Sequence, residues 1–241
     1  MTLQRIPETK GIGMRVRFFT VLTALALAVA VVASFGTGAI ARPSAKPAAA
    51  AKSKVGARPA HIAGTIYGQR DNDNGVGIVS QNFEATFDAY DSQGADNFKI
   101  KNKGILKEVD VDGAYFNGPG PATSVHVTIY KNASGKPGAV VKDVPAATYT
   151  DSTGTGTFKI KVPKTVLKKG AYWVSVYVNM DFGTGGEWGW NTNNTVRGTA
   201  AKWQNPGNGF STGCTTWTTL TTCIAAGEGG DYSFALIGRG H

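Results

Sequence analysis

Aromatic side chains that could bind a carbohydrate are concentrated in one part of this 241-residue chain. All five tryptophans lie between residues 173 and 217, and Trp188 and Trp190 are two positions apart, so in a strand they would share one face. Indole rings offer large flat apolar surfaces with one N–H donor each, which suits stacking on sugar rings. The sequence therefore suggests a polysaccharide site with the candidate ligand-binding residues Trp188, Trp190, Trp173, Tyr177 and Trp203. The alternative is that these rings pack into a small core beneath Gly-rich loops.

Two carboxylates, Asp181 and Glu187, flank the run Gly183-Thr184-Gly185-Gly186 beside the tryptophans. Glycoside hydrolysis uses two carboxyl groups, one with a raised pKa as general acid and one that stays ionised. The alternative is that the two side chains cap turns or pair with lysines, and we favour it because the sequence fixes no distance between them. We therefore assign no catalytic residue and keep Asp181 and Glu187 as the alternative of a glycan-active hydrolase.

Acidic loop residues make calcium the one candidate metal. Asp71 and Asp73 begin a D-x-D-x-G run that resembles the start of a calcium loop but lacks its glutamate, and Asp88 and Asp91 lie further along the chain. Loop oxygens of this kind bind structural calcium in exported proteins. The alternative is that these carboxylates stabilise turns by accepting hydrogen bonds from nearby backbone N–H groups.

Other catalytic machinery is missing from the sequence. A Ser-His-Asp triad could use only His126, because the other two histidines, His61 and His241, lie in the linker and at the terminus. His126 lies on the face of its strand pattern opposite the valines, so we expect it to be exposed. We predict no cofactor apart from the possible calcium ion.

The two cysteines, Cys214 and Cys223, are nine positions apart. In an exported protein a close pair of this kind predicts one local disulfide. A zinc site is disfavoured because it needs further histidine or cysteine ligands nearby, and no histidine lies between them.

The amino terminus has the pattern of a signal peptide over residues 1–41. Arg15 and Arg17 precede an apolar stretch that runs to about Phe35, and small residues follow up to Ala39-Ile40-Ala41. We expect cleavage and secretion to the extracellular space, with the periplasm as the other possible destination. The alternative, a permanent membrane anchor, is disfavoured because the stretch is rich in alanine and its end breaks into Gly and Ser.

The positive charge of the chain lies mostly outside the predicted domain. The net charge is +9, but residues 70–241 carry 16 basic and 15 acidic side chains. Residues 42–69 carry five basic and no acidic side chains in an Ala- and Pro-rich segment, which predicts a disordered linker. Because nucleic-acid binding depends on clustered basic residues, we expect no nucleic-acid partner.

The apolar residues of 70–241 alternate with polar ones in run after run. In Ser124–Lys131 the side chains of Val125, Val127 and Ile129 would face one way, and Ala171–Met180 shows the same period of two. Turn residues separate the runs, and no segment shows a helical period. The pattern predicts a single all-β domain, a jelly-roll-like antiparallel β-sandwich, with a closed β-barrel as the alternative.

Several segments together resemble a known family. The run YFNGPGPATSVHVTIYKNASGKPGAVV is followed by AYWVSVYVNMDFGTGGEWGW, WQNPGNGF, GCTTW with Cys223, and a closing DYSFALIG. This block is similar to a widespread, uncharacterised exported bacterial domain that is found alone or appended to secreted hydrolases. The resemblance covers about residues 80–238 and implies a β-sandwich accessory module without catalytic residues.

Together these patterns predict a secreted, non-catalytic binding or surface-interaction module. Its expected partner is a polysaccharide or another cell-surface polymer, without a stable membrane anchor after signal cleavage. A secreted glycan-active hydrolase and a structural or adhesion component of a matrix are the alternatives.

Overall fold

The protein is a β-sandwich, seen here in a computed structural model that describes residues 46–52, 64–224 and 229–240. Strands dominate, and the described residues also form one short 3₁₀ helix, Ala85–Tyr90, and two single-turn helices, α1 (Phe182–Gly185) and α2 (Leu220–Cys223). The strands are β1 (Ala50–Lys52), β2 (Thr65–Gln69), β3 (Asp73–Val79), β4 (Gln81–Asn82), β5 (Gln93–Ile100), β6 (Gly104–Val111), β7 (Gly113–Phe116), β8 (Ser124–Ala133), β9 (Lys136–Ala147), β10 (Tyr149–Thr150), β11 (Phe158–Leu167), β12 (Gly170–Asn179), β13 (Glu187–Asn193), β14 (Lys202–Gln204), β15 (Thr218–Thr219), β16 (Asp231–Tyr232) and β17 (Phe234–Gly240).

One layer of the sandwich is a seven-stranded sheet in the order β15-β14-β5-β12-β8-β9, with the short β4 pairing in parallel with the end of β12. The long central strands β8 and β12 pair antiparallel, and Val127 lies opposite Val176. Because side chains alternate along a strand, the valines of both strands point into the core and the residues between them point outward. The outward face of these two strands carries the candidate site described below.

The other layer consists of two sheets. The β6 sheet has the order β10-β11-β6-β17-β2, and the β13 sheet has the order β1-β3-β13-β16, with β7 also paired to β13. Three chain segments pass from one sheet into the other: β2 leads to β3, β6 leads to β7 and β16 leads to β17. Backbone hydrogen bonds continue across this bend, since the Asp112 N–H donates to the Ser233 carbonyl at 3.1 Å.

A buried ion pair joins the three segments at the bend. Arg70 is 3% exposed, and its guanidinium binds both carboxylate oxygens of Asp112, with Nε at 2.7 Å from Oδ2. Arg70 Nη1 also donates to Asp110 Oδ2 at 3.3 Å. The Ser233 hydroxyl donates to Asp112 at 2.8 Å. A planar guanidinium that meets carboxylates in this way compensates for the burial of its charge and fixes the geometry of the bend.

Aromatic rings link the two layers in the core. Tyr67 of β2 packs against Phe98 of β5 with ring centroids 5.9 Å apart, and Phe98 stacks on Tyr172 of β12 at 5.6 Å. In the β13 sheet, Trp190 stacks on Tyr232 at 4.5 Å. All of these rings except Tyr67 are at most 1% exposed, so the alternation read from the sequence does build a continuous core.

The sandwich that the sequence predicts is confirmed, and the alternative of a closed barrel is wrong, because none of the sheets of the described residues closes on itself. The prediction of a disordered linker over 42–69 is wrong in two places. Residues 50–52 form β1 on the edge of β3, and 65–69 form β2 on the edge of β17. Short Ala- and Gly-containing stretches order here because an existing sheet edge supplies their hydrogen-bond partners.

The predicted signal peptide, residues 1–41, lies outside the described residues, as does most of the segment between β1 and β2. Within the described residues, no helix combines the length and the apolar character that a membrane crossing requires.

Candidate functional site

Four of the five predicted ligand-binding residues are core residues. Trp173, Trp188, Trp190 and Trp203 each have 0% exposure. Every indole N–H is also used inside the protein. The acceptors are Asn132 Oδ1 for Trp173 at 2.9 Å, the Gly156 carbonyl for Trp188 at 2.8 Å, the Ser233 carbonyl for Trp190 at 3.0 Å and the Val79 carbonyl for Trp203 at 2.8 Å.

A sugar ring cannot stack on an indole that no solvent reaches, so the prediction of a carbohydrate site on these four tryptophans is wrong. The strand that carries two of them, β13, is buried at all seven positions. Its Gly189 lies so close to Gly77 of β3 that an added Cβ would come within 2.7 Å of the Gly77 backbone. Trp188 and Trp190 fill the core on one face of β13. Gly189 between them carries no side chain, which leaves room for the close approach of the β3 backbone.

The candidate hydrolase pair is not brought together. Asp181 is exposed at the start of α1, whereas Glu187 is fully buried and its Oε2 accepts a hydrogen bond from Asn117 Nδ2 at 2.6 Å. Burial raises the pKa of Glu187 to about 7, against the opposing effect of hydrogen bonds from the Ala48 backbone and Asn117. Among the described residues the two carboxylates share no hydrogen bond, so the structure does not support them as an acid–base pair.

The calcium candidates are used by protein groups instead. Asp71 forms an ion pair with Arg197 at 2.6 Å, and Asp73 accepts hydrogen bonds from the Gly75 N–H and from Asn191 Nδ2. Asp91 accepts the Phe83 N–H at 2.8 Å, and Asp88 is exposed. In the part of the chain that the structure describes, no three His, Cys, Asp or Glu side chains cluster closely enough to hold a metal ion.

The predicted disulfide between Cys214 and Cys223 is confirmed. It closes a loop that begins after β14, and the Cys214 carbonyl accepts the Asn205 N–H at 2.8 Å. The amide of Asn205 in turn donates to the carbonyls of Ala89 and Asp91, both at 2.8 Å. The disulfide loop is therefore tied to the 3₁₀ helix through Asn205, which lies between Gln204 and Pro206, two residues that line a groove.

That groove lies on the outward face of the seven-stranded sheet and has a volume of about 420 Å³. Its floor comes from β8 and β12, its far side from Val140 and Asp143 of β9, and its near wall from Gln204 at the end of β14 and from Pro206. The side chains that project into it are mainly polar or aromatic and include Gln93, His126, Thr128, Tyr130 and Tyr177.

A continuous hydrogen-bonded chain crosses the floor of the groove. Tyr177 Oη lies 2.6 Å from His126 Nδ1, and His126 Nε2 lies 2.7 Å from Asp143 Oδ1. Because an ionised carboxylate can only accept, neutral His126 donates from Nε2, and Nδ1 accepts the hydroxyl proton of Tyr177. The rings of His126 and Tyr177 are also stacked, with centroids 4.5 Å apart. These contacts fix three side chains from three neighbouring strands in one orientation.

A second network holds the wall residues. Gln93 Nε2 donates to Ser175 Oγ at 2.8 Å, and its Oε1 accepts Gln204 Nε2 at 3.1 Å. Gln93 Nε2 also reaches Tyr130 Oη at 3.5 Å, and the Trp217 ring meets the Tyr130 ring edge-on, with centroids 6.4 Å apart. Trp217 is partly exposed, so it is the tryptophan that remains near the surface beside the groove.

The groove has a negative electrostatic character. Burial acts to raise the pKa of Asp143, but hydrogen bonds from His126 and Thr128 outweigh it and lower that pKa below its ordinary value. Burial raises the pKa of Asp91, and nearby Asp88 adds to the effect. Burial together with Asp143 raises the pKa of the Tyr177 hydroxyl to about 12. Among the described residues that line the groove there is no lysine or arginine.

Of the five predicted ligand-binding residues, only Tyr177 lies on this groove. Sequence reasoning weighed His126 only as a possible triad member and missed its neighbours Thr128 and Tyr130. A signal was present, because these three residues alternate with buried apolar ones along β8. Polar and aromatic residues at alternate positions of two adjacent strands indicate a solvent-facing site when the opposite faces form the core.

Comparison of the chain with protein-family models, with curated proteins and with solved structures gives no significant match.

Proposed function

We propose that this protein is a binding module and that the groove on its seven-stranded sheet holds a hydroxyl-rich ligand, a segment of a carbohydrate chain. The observation that carries the proposal is the lining of the groove. Amide, hydroxyl, imidazole and carboxylate groups surround the partly exposed rings of Tyr130 and Tyr177. Such a mixture matches a sugar, which offers both apolar ring faces and hydroxyl groups.

The groove is also preorganised. Tyr177, His126 and Asp143 hold one another through two short hydrogen bonds, and Gln93 is held by Ser175 and Gln204. A ligand that binds to side chains already fixed in place loses less conformational entropy on their account, which strengthens binding. The carboxylate of Asp143 accepts its two protein hydrogen bonds on Oδ1 and is 48% exposed, which supports a role as an acceptor for sugar hydroxyls.

Binding can be measured by calorimetry with soluble cello-, xylo-, manno- and chito-oligosaccharides. For an oligosaccharide that binds, Tyr130→Ala should weaken the affinity about tenfold or more, because it removes an aromatic face worth about 1.4 kcal/mol. The matched control is Tyr149→Phe, which removes a hydroxyl that donates to the Ala122 carbonyl away from the groove. The control should leave the affinity unchanged. If no oligosaccharide binds, or if Tyr130→Ala binds as well as the wild type, the proposal is wrong.

A glycan hydrolase is the second candidate, because Asp91 and Asp143 line the same groove and their surroundings shift their pKa values in opposite directions. This is the difference that separates a general acid from a base. Turnover of the same oligosaccharides by the wild type, lost in Asp91→Asn, would favour the hydrolase. Binding without turnover supports the module.

The disulfide Cys214–Cys223 supports an extracellular location, because such bonds persist in oxidising compartments. A carbohydrate-binding module in that location would attach to a polysaccharide outside the cell. A purely structural or adhesive component remains the outcome if the groove residues prove to have no ligand.

A further inference from the structure

Two lysine-bearing turns lie side by side at one end of the sandwich. The turn after β5 carries Lys101 and Lys103, and the turn after β11 carries Lys168 and Lys169. Each turn crosses from one layer to the other, and the strands that flank them are paired in both layers. Ile100 lies opposite Gly170 in the seven-stranded sheet, and Gly104 lies opposite Leu167 in the β6 sheet.

Two further cations belong to the same end. Lys99 is the last exposed side chain of β5, and Arg239 lies beside Ile105 near the end of β17. Residues 99–106, 164–172 and 238–240, which form this end, contain no aspartate or glutamate. Among the described residues, no ion pair within 4 Å involves these cations, and all are exposed. The near-neutral charge of the domain therefore hides a strongly basic end.

A cleft of about 550 Å³ opens between two of these cations, Lys99 and Lys101, and the edge of the β6 sheet. Lys99 and Lys101 line one side, and Thr65 and the glycine-rich ends of β2 and β17 line the other. Among the described residues, β2 is the last strand of the β6 sheet and β14 pairs with β5 only as far as Ala95, so the cleft runs between two strand edges. Ammonium groups next to open backbone edges form a surface suited to negatively charged groups.

We propose that this basic end is a second binding site, for a linear polyanion of the cell surface that carries phosphate or carboxylate groups at regular intervals. Like charges that have no ion-pair partner among the described residues repel one another, and an anionic chain laid along the cleft would neutralise Lys99 and Lys101 together. A single-stranded nucleic acid is disfavoured because the one aromatic ring in the cleft, Tyr67, is packed against Phe98 and Phe234 and cannot stack on bases. A membrane surface is disfavoured because Val166, at 53% exposure, is the only exposed large apolar side chain near these turns in the described part of the chain.

The test compares two variants with equal loss of charge. Lys99→Gln/Lys101→Gln removes two cations of the cleft, whereas Lys159→Gln/Lys161→Gln removes two exposed lysines of β11 that lie opposite Asp110 and Glu108. Sodium polyphosphate and polygalacturonate are the probes, titrated calorimetrically at about 50 and about 200 mM salt. We expect the cleft variant to bind at least one probe about tenfold more weakly and with a smaller salt dependence, and the β11 variant to stay within about twofold. Both variants keep the five basic side chains of segment 42–58. The difference in affinity between the two variants therefore reports on the cleft alone.

The probe that binds more tightly identifies phosphate or carboxylate as the preferred group. Absence of binding to both probes, or equal weakening in the two variants, would overturn the proposal. Tighter binding to duplex DNA or to vesicles containing anionic lipid than to either polymer would overturn the assignment to a surface polymer. The site is independent of the carbohydrate groove, and Tyr130→Ala should leave polyanion binding unchanged, so one proposal can fail while the other stands.

Discussion

The match of hydrogen-bond donors and acceptors at single residues explains why the groove has one defined geometry. His126 lies between a group that can only accept, the Asp143 carboxylate, and one that can donate, the Tyr177 hydroxyl. Neutral imidazole has one donor and one acceptor, so it satisfies both partners at once. In this arrangement Asp143 is ionised, and the Tyr177 hydroxyl donates its hydrogen bond to His126 Nδ1. Asp143 is therefore the main acceptor offered to a ligand.

The variant His126→Phe tests this arrangement because it keeps a ring to stack on Tyr177 and removes both nitrogens. The pKa of Asp143 should rise, since in the wild type the hydrogen bond from His126 lowers it against the opposing effect of burial. Carbon-13 NMR of the side-chain carboxyl carbons against pH measures the change.

The variant Thr128→Val should raise the same pKa of Asp143, because it removes the 2.7 Å hydrogen bond from the Thr128 hydroxyl to Asp143 Oδ1. An unchanged Asp143 titration in both variants would contradict the assignment.

The tryptophans show what residue type alone cannot decide. An indole that stacks on a sugar and an indole that fills a core can have the same neighbours in sequence, such as the glycine and asparagine next to Trp190. The difference depends on which elements lie above each ring. Trp203 is covered because its N–H reaches the Val79 carbonyl of another sheet, a contact between residues 124 positions apart in the chain.

At the scale of elements, the sequence predicted well the strands whose residue types alternate, but it did not predict β1 or β13. The residue types of β8, β11 and β12 alternate between apolar residues and others, and this pattern can be seen without a structure, although Trp173 and Ser175 on the outward side of β12 are also buried. Strand β13 is buried on both sides and β1 consists of Ala-Ala-Lys, so neither shows the alternation. Both are strands because β3, which lies between them, supplies hydrogen-bond partners on each of its edges.

Strand β1 leads to a prediction about truncation. A chain that begins at Ser53 loses the pairing of Ala50–Lys52 with β3 and the bond from the Val79 N–H to the Ala49 carbonyl at 3.0 Å. Since each lost backbone hydrogen bond costs about 1 kcal/mol, its free energy of unfolding should be about 2–4 kcal/mol lower than that of a chain beginning at Lys46. Urea denaturation of the two proteins measures the difference. Equal midpoints would show that the segment is a linker after all.

At the scale of the whole molecule, charge is distributed in a way that a net value conceals. The basic turns occupy one end of the sandwich, whereas several buried carboxyl groups lie in the interior. Burial raises the pKa of Asp231 to about 6 and that of Glu187 to about 7, and it raises the pKa of the fully buried Asp96 well above its ordinary range. Composition gives the number of these groups, but their positions depend on contacts between distant strands, which the sequence does not reveal.

These raised pKa values determine how stability depends on pH. Between about pH 4.5 and pH 7 the folded protein binds more protons at Glu187 than the unfolded chain does, so the contribution of this group to stability is fully present below pH 4.5 and is lost as the pH rises through 7. The variant Glu187→Gln should therefore be less dependent on pH in this window and should gain up to about 3 kcal/mol relative to the wild type at pH 8. Asp181→Asn, which removes an exposed carboxylate six positions earlier, is the matched control and should follow the wild-type curve. Thermal and urea unfolding at pH 4.5, 6 and 8 measure the curves, and a Glu187→Gln curve parallel to the wild type would show that Glu187 is ionised in the folded protein throughout this window.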